Sequence, residues 1–239
     1  MSVPLIEAKN RILAMLSRCG VCNTYQAATV YEHRADPVKR VRPLLSELTK
    51  GGYLESRPLE PEYDAVYRLS KQLRHAAGGI KATRWDGLLT HKFAVTDLYL
   101  ELGSPSSFKR EPRLPYRAAK GITKLSPDAF ALVEGVPYFF EVQRTPIETV
   151  KWALKRRGYE GYFASGAWMD SFDVRPVVVI WQAENQQKST IGTPIGFRME
   201  VVTKGEGICG IGEYIRSLSG ERGRPSYDEG LWQPSFAGQ

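Results

Sequence analysis

The sequence predicts an α/β protein, α+β overall, built from two unlike parts: a helix-rich N-terminal third and a longer part organised around strands. Three observations carry this. Apolar residues recur at helical spacing between Leu5 and Leu48; two apolar runs, Asp128 to Val133 and Val136 to Gln143, flank a Glu134-Gly135 turn; and Pro176 to Trp181 is continuously apolar.

In chain order, Leu5, Ala8, Ile12, Leu13 and Leu16 form one helical stripe, with Pro4 at its first turn and Gly20 as its stop. Asn23 followed by Gln26 has the spacing of a capping box, which opens a short second helix through Ala27, Ala28 and Tyr31. Asp36-Pro37 starts a third: the carboxylate caps free amides and proline is tolerated in the first turn. This helix is expected to bury Val38, Val41, Leu45 and Leu48, leaving Lys39, Arg40, Arg42 and Ser46 on its other faces. Pro43 removes a backbone donor within it and should kink the helix or delay its regular start. After Gly51-Gly52, residues 53–57, ending at Arg57, and residues 65–69 read as two strands joined by a Pro58 to Pro61 loop. Three short helices and a two-stranded wing resemble the winged helix-turn-helix family over about residues 4–70. That resemblance implies double-stranded DNA as partner, contacted by Lys39, Arg40, Arg42, Ser46 and Arg57. Winged helices also serve as protein-docking or homodimerisation surfaces, which is the alternative reading of this region.

Residues 80–90 read as a connector, and His91 to Leu102 as an amphipathic helix stopped by Gly103. The expected domains are 1–78, 79–219 and a flexible tail, 220–239. In the second part Asp128 heads one strand, and Glu141 and Gln143, two apart, share a face of the next. Hard divalent ions such as magnesium take oxygen ligands, so Asp128 and Glu141 are the expected metal ligands if a metal binds. Thr145-Pro146-Ile147-Glu148 has the spacing of a second capping box, opening a helix through Val150 and Leu154 towards Tyr159. It carries Lys151 and Lys155 one turn apart.

This constellation resembles the PD-(D/E)XK nuclease superfamily. The resemblance gives Asp128 and Glu141 as the two acidic metal ligands and Gln143 at the position of the catalytic lysine. A glutamine amide can orient water or donate a hydrogen bond, but it supplies no positive charge to a phosphate. Lys151 or Lys155 could reach back as a displaced lysine, or both could be a solvated basic face. Asp97 or Glu101, on the preceding helix, is the position from which such nucleases often take a further acid. The order of parts also resembles the replication-relaxation family of plasmid and mobile-element proteins: His91, Pro127-Asp128, Glu141-Val142-Gln143-Arg144 and Tyr159 stand where that family has its histidine, Pro-Asp, Glu-x-Asp-Arg and tyrosine. The resemblance implies work in plasmid replication or DNA relaxation, with a nuclease-like domain that is degenerate at Gln143. The alternative is a magnesium-dependent endodeoxyribonuclease.

Composition agrees with a polyanionic partner. Lys and Arg outnumber Asp and Glu by 33 to 26, a net charge of +7, and residues 109–157 hold eleven basic against five acidic side chains. No run of eighteen apolar residues argues for a membrane span, and the first ten residues, with Glu7 and Asn10, do not read as a secretory signal. Three cysteines are too few for a disulfide framework, so a reducing cytoplasm is expected. Cys19 and Cys22 have the C-x-x-C spacing of zinc sites, but a structural zinc wants four ligands and only Cys209 remains. The expected role is packing, Cys19 at a helix end and Cys22 in the following turn. Gly205, Gly207 and Gly210 match G-x-G-x-x-G after an expected strand, Arg198 to Thr203. No second strand with an acid follows, so a turn before a short helix, Glu213 to Leu218, is expected rather than a dinucleotide site.

Overall fold

A computed structural model describes residues 4–31, 34–59, 65–77, 85, 89–144, 149–182 and 197–203. The fold is mixed α/β, and the chain divides into two units, Met1–Ser104 and Pro105–Gln239. Residues 60–64 between the two expected strands, the capping box expected at 145–148, the glycine motif and the short helix expected after it, Cys209 and the tail lie outside the described residues.

In the first unit, helix α1 (Leu5–Cys19) buries Ala8, Ile12, Met15, Leu16 and Cys19, and ends at Gly20. Gly20 has φ 85°, where an L side chain is strained, and its N–H returns to the Leu16 carbonyl. Strand β1 (Cys22–Asn23) follows, so Cys22 sits on a strand rather than in a turn. Both thiols are buried, and burial pushes that of Cys22 far up. Asn23 and Gln26 form the reciprocal capping box of α2 (Thr24–Ala28) at 2.8 and 3.1 Å.

Helix α3 (Pro37–Lys50) is capped by Asp36, whose side chain accepts from the Lys39 N–H. It is continuous through Pro43 and begins at Pro37, so its regular start is not delayed. Pro43 and its neighbour Arg42 are exposed, on the side of the helix away from its buried stripe. That stripe is Val41, Leu44, Leu45 and Leu48; Val38 is only half-buried.

Strands β2 (Leu54–Pro58) and β3 (Ala65–Leu69) pair antiparallel, and β1 adds to β3, giving a sheet of order β1-β3-β2. Ser70 caps a further helix, α4 (Lys71–Ala76), which sequence reasoning missed; Glu55 of β2 accepts from the Lys71 N–H and from Arg68.

Helix α5 (Leu89–Glu101) differs from expectation twice. It is buried around most of its circumference, Lys92, Phe93, Val95, Thr96, Leu98 and Tyr99 included, rather than amphipathic. It also packs within the first unit instead of opening the second: Thr96 donates to the Val21 carbonyl, and Phe93 packs with Val21 and Val66. The Gln26 amide, already part of the α2 cap, donates to the Phe93 carbonyl at 2.8 Å and to Asp97 at 2.6 Å. A single side chain thus ties α2 to α5.

The second unit is built on a five-stranded sheet of order β10-β9-β8-β7-β4, where β4 is Lys109–Arg110, β7 Ala129–Val133, β8 Val136–Gln143, β9 Val177–Gln182 and β10 Met199–Thr203. Strands β7 and β8 form the expected hairpin, with Glu134 and Gly135 at φ 49° and 78° as its two-residue turn demands. Strands β8, β9 and β10 run parallel, and the β8-to-β9 crossover contains α6 (Thr149–Ala164). Tyr159, Tyr162 and Phe163 of α6 pack with Phe130, Phe139 and Val178 on one face of the sheet. Val150 and Leu154 are exposed, so the helix does not bury the stripe its sequence implied. A separate hairpin, β5 (Leu114–Ala118) and β6 (Gly121–Leu125), was not foreseen.

Candidate functional site

Strand β8 is the centre of the five-stranded sheet, and its alternation sends Phe139, Glu141 and Gln143 to the face that carries Tyr159 and Tyr162 of α6. A carboxylate in that position is anomalous. Glu141 is fully buried, in a strand whose other residues up to Val142 are apolar. Its neighbours explain how it is tolerated. Ala129 pairs with Phe140, so Asp128, one residue before β7, stands opposite Glu141 on the same face. Asp128 is held by the backbone of the adjacent strand: Oδ2 accepts from the Val142 N–H of β8 at 2.8 Å.

Helix α6 supplies the counter-charge. Lys155 and Tyr159, four apart, lie on one stripe. The Lys155 ammonium pairs with Glu141 Oε2 and stands 3.4 Å from Asp128 Oδ1, while the Tyr159 hydroxyl donates to Glu141 Oε1 at 2.6 Å. Burial, with Asp128 adding like charge, pushes the Glu141 carboxyl up to about 8, against the opposing pull of Lys155 and Tyr159. Burial by itself would lower the Lys155 ammonium, but the two carboxylates outweigh it and raise the group above its ordinary value. Burial and the adjacent Glu141 hold the Tyr159 phenol well above its usual range, which keeps it a hydrogen-bond donor.

Of the residues singled out from sequence, Asp128, Glu141 and Lys155 therefore come together. Gln143 lies two residues beyond Glu141, in register with the buried Gln182 of β9. Lys151 is exposed one turn before Lys155. Asp97 belongs to the first unit, where it accepts from Gln26. One residue of the site was not among those proposed for it: Tyr159, legible only as a family-motif tyrosine one turn past Lys155.

The donor chemistry of Asp128 and Glu141 suits a hard divalent ion, since both present oxygens from adjacent strands. Their arrangement does not. The Lys155 ammonium sits against both carboxyl groups, so a dication would have to displace it. What the residues do as arranged is hold a proton and a positive charge inside the sheet. In the first unit, Lys39, Arg40, Arg42 and Ser46 of α3 and Arg57 of β2 are all exposed. Among the described residues, no helix is long and apolar enough to cross a membrane.

No family model and no curated protein matches the chain. A solved structure, that of protein VC1899 from Vibrio cholerae, aligns at 10% identity over 74% of this chain and 44% of that one, with a TM-score of 0.27. The chain thus spans less than half the length of that protein, and a likeness this distant carries no argument about either unit.

Proposed function

We propose that the protein is a DNA-binding protein of a plasmid or mobile element, acting in replication or DNA relaxation, whose second unit is a degenerate nuclease-like core. The observation that carries the reading is the two-sidedness of α3: Val41, Leu44, Leu45 and Leu48 are buried, while Lys39, Arg40, Arg42 and Ser46 face solvent. The element order α1-β1-α2-α3-β2-β3, with a three-stranded sheet beside three helices, supports a winged helix-turn-helix reading in which α3 enters the major groove. The lysine-compensated pair Asp128 and Glu141 supports degeneracy of the core, because its positive charge is committed to carboxylates rather than to a phosphate.

One preparation tests both parts. Arg40→Ala with Arg42→Ala should weaken duplex binding and lower the salt slope by about two, one per lost phosphate contact. The native chain with magnesium or manganese should leave supercoiled plasmid uncut. Robust metal-dependent cutting that Asp128→Ala abolishes would make the endonuclease reading primary. Unchanged affinity and slope in the α3 variant would instead favour a protein-docking surface.

A further inference from the structure

The β5–β6 hairpin is a two-stranded ribbon outside the five-stranded sheet, and its two faces differ in kind. One is anchored on α6: Leu114 and Leu125 are buried with Tyr159 and Tyr162, and the Tyr116 ring meets Tyr162 edge-on at 5.9 Å. Two glycines of α6 make room for it, since a Cβ at Gly161 would lie 3.0 Å from the Tyr116 ring and one at Gly158 would lie 3.5 Å from Leu125. The other face alternates outward as Pro115 and Arg117 along β5, with Arg113 just before the strand, and with Ile122 opposite Arg117 and Lys124 opposite Pro115 on β6; all five are exposed. Lys120, in the turn, is exposed as well. Residues 112–127 contain these four basic side chains and no acidic one. Among the described residues, Arg113, Arg117, Lys120 and Lys124 form no ion pair.

Three cations on the outward face of the ribbon and a fourth in its turn, with Asp170 lining the same shallow pocket as Arg117 but forming no ion pair with it, raise an electrostatic question that edge protection alone does not answer. A basic side chain is enough to guard a strand edge, but these charges line the outward face, where they repel one another unless a polyanion lies across them. Arg113 and Arg117 are four residues apart, roughly 13 Å at the rise of an extended strand. That is about the rise of four base pairs of duplex. The width of a major groove admits a two-stranded ribbon, whereas two exposed apolar side chains, Pro115 and Ile122, are too little to seat the ribbon in a lipid surface.

We propose that the outer face of the β5–β6 ribbon is a second duplex-DNA contact, with Arg113, Arg117 and Lys124 on backbone phosphates. It rests on the reading of this protein as a DNA binder and adds to it a sequence-independent clamp on the second unit, separate from α3.

The test uses the full chain, a fluorescent duplex of random sequence and a salt titration. Counterion release assigns about fivefold in affinity to each phosphate contact at about 0.15 M salt. Arg113→Gln with Arg117→Gln and Lys124→Gln should therefore lose between about tenfold and about a hundredfold in affinity and reduce the salt slope by two to three, roughly 0.9 per contact. The single change Arg117→Glu should act in the same direction. If the native chain binds duplex and the α3 variant weakens it, but the ribbon variants keep native affinity and slope, the ribbon proposal fails alone. If the native chain binds no duplex, both fail. Binding to vesicles of phosphatidylserine and phosphatidylcholine that the triple change abolishes, with duplex binding unaltered, would also overturn the proposal.

Discussion

Replacing Lys155 by Met removes the positive charge from the carboxylate pair while keeping most of the side-chain volume. Breaking a buried ion pair by removing one partner costs about 3–5 kcal/mol. The Lys155 side chain is 31% exposed, so solvent screening brings the expectation down to about 2–3 kcal/mol when Glu141 is ionised. Its size depends on pH in a direction fixed by Glu141. The folded carboxyl titrates at about 8, above its ordinary 4.5, so between those values the native state holds a proton that the unfolded chain has released. Native stability therefore falls as pH rises through that window. In the variant, burial and Asp128 act on Glu141 without the ammonium, the folded value moves higher still, and the fall continues where the native protein has levelled off. The destabilisation by Lys155→Met should accordingly be about 1 kcal/mol or less near pH 6, where Glu141 is protonated in both proteins, and reach its full size near pH 9. Urea titration at both pH values, with amide exchange of β8 and β9 reporting the second unit alone, gives the measurement. Adding Glu141→Gln should restore most of the loss and remove the pH dependence. A penalty equal at the two pH values, or under about 1 kcal/mol at pH 9, would refute the view that Lys155 compensates Glu141.

Two further outcomes follow from packing. Gln26→Ala removes the reciprocal half of the α2 cap together with both hydrogen bonds to α5, and should destabilise the first unit by about 2–4 kcal/mol; faster exchange confined to α2, with α5 as protected as before, would show that Gln26 does not hold α5. Gly158→Ala puts a methyl in ordinary contact with Leu125 and should gain up to about 1 kcal/mol of helix propensity, whereas at Gly161 the same methyl presses on the Tyr116 ring, so the two variants should differ by about 1–2 kcal/mol in thermal or urea unfolding. Equal stabilities for the pair would mean that the ribbon does not sit on Gly161.

The local features of the first unit were legible because each rests on neighbours in sequence. The Asn23–Gln26 box, the Asp36-Pro37 start and the Gly20 stop are contacts within one helical turn, and all three stand where the sequence puts them. The Glu134-Gly135 turn is equally local, since two residues at positive φ suffice to set the β7–β8 register. Pro43 does not interrupt or delay α3 because a single proline costs one backbone hydrogen bond, a loss that an exposed helix side supported by four buried aliphatic residues absorbs. The β5–β6 ribbon was missed because its alternation, Leu114, Tyr116 and Ala118 against Arg113, Pro115 and Arg117, is short and broken by proline, and its anchoring is supplied from α6.

Strand spacing alone sets the parity of the site: Glu141 and Gln143 share a face, and Asp128 heads the strand that pairs with theirs. Helical spacing likewise fixes Lys155 and Tyr159 on one stripe, whatever that stripe meets. That this stripe lies over Glu141 was decided only by tertiary structure, because the β8-to-β9 crossover lays α6 on one face of the sheet and chooses which of its lysines meets the carboxylates. The same holds for α5, whose residues carry no mark of which unit they join; burial of Phe93 with Val21 and Val66, and the reach of one glutamine, decide it. Sequence spacing fixes which side chains share a face, and only packing fixes what that face touches.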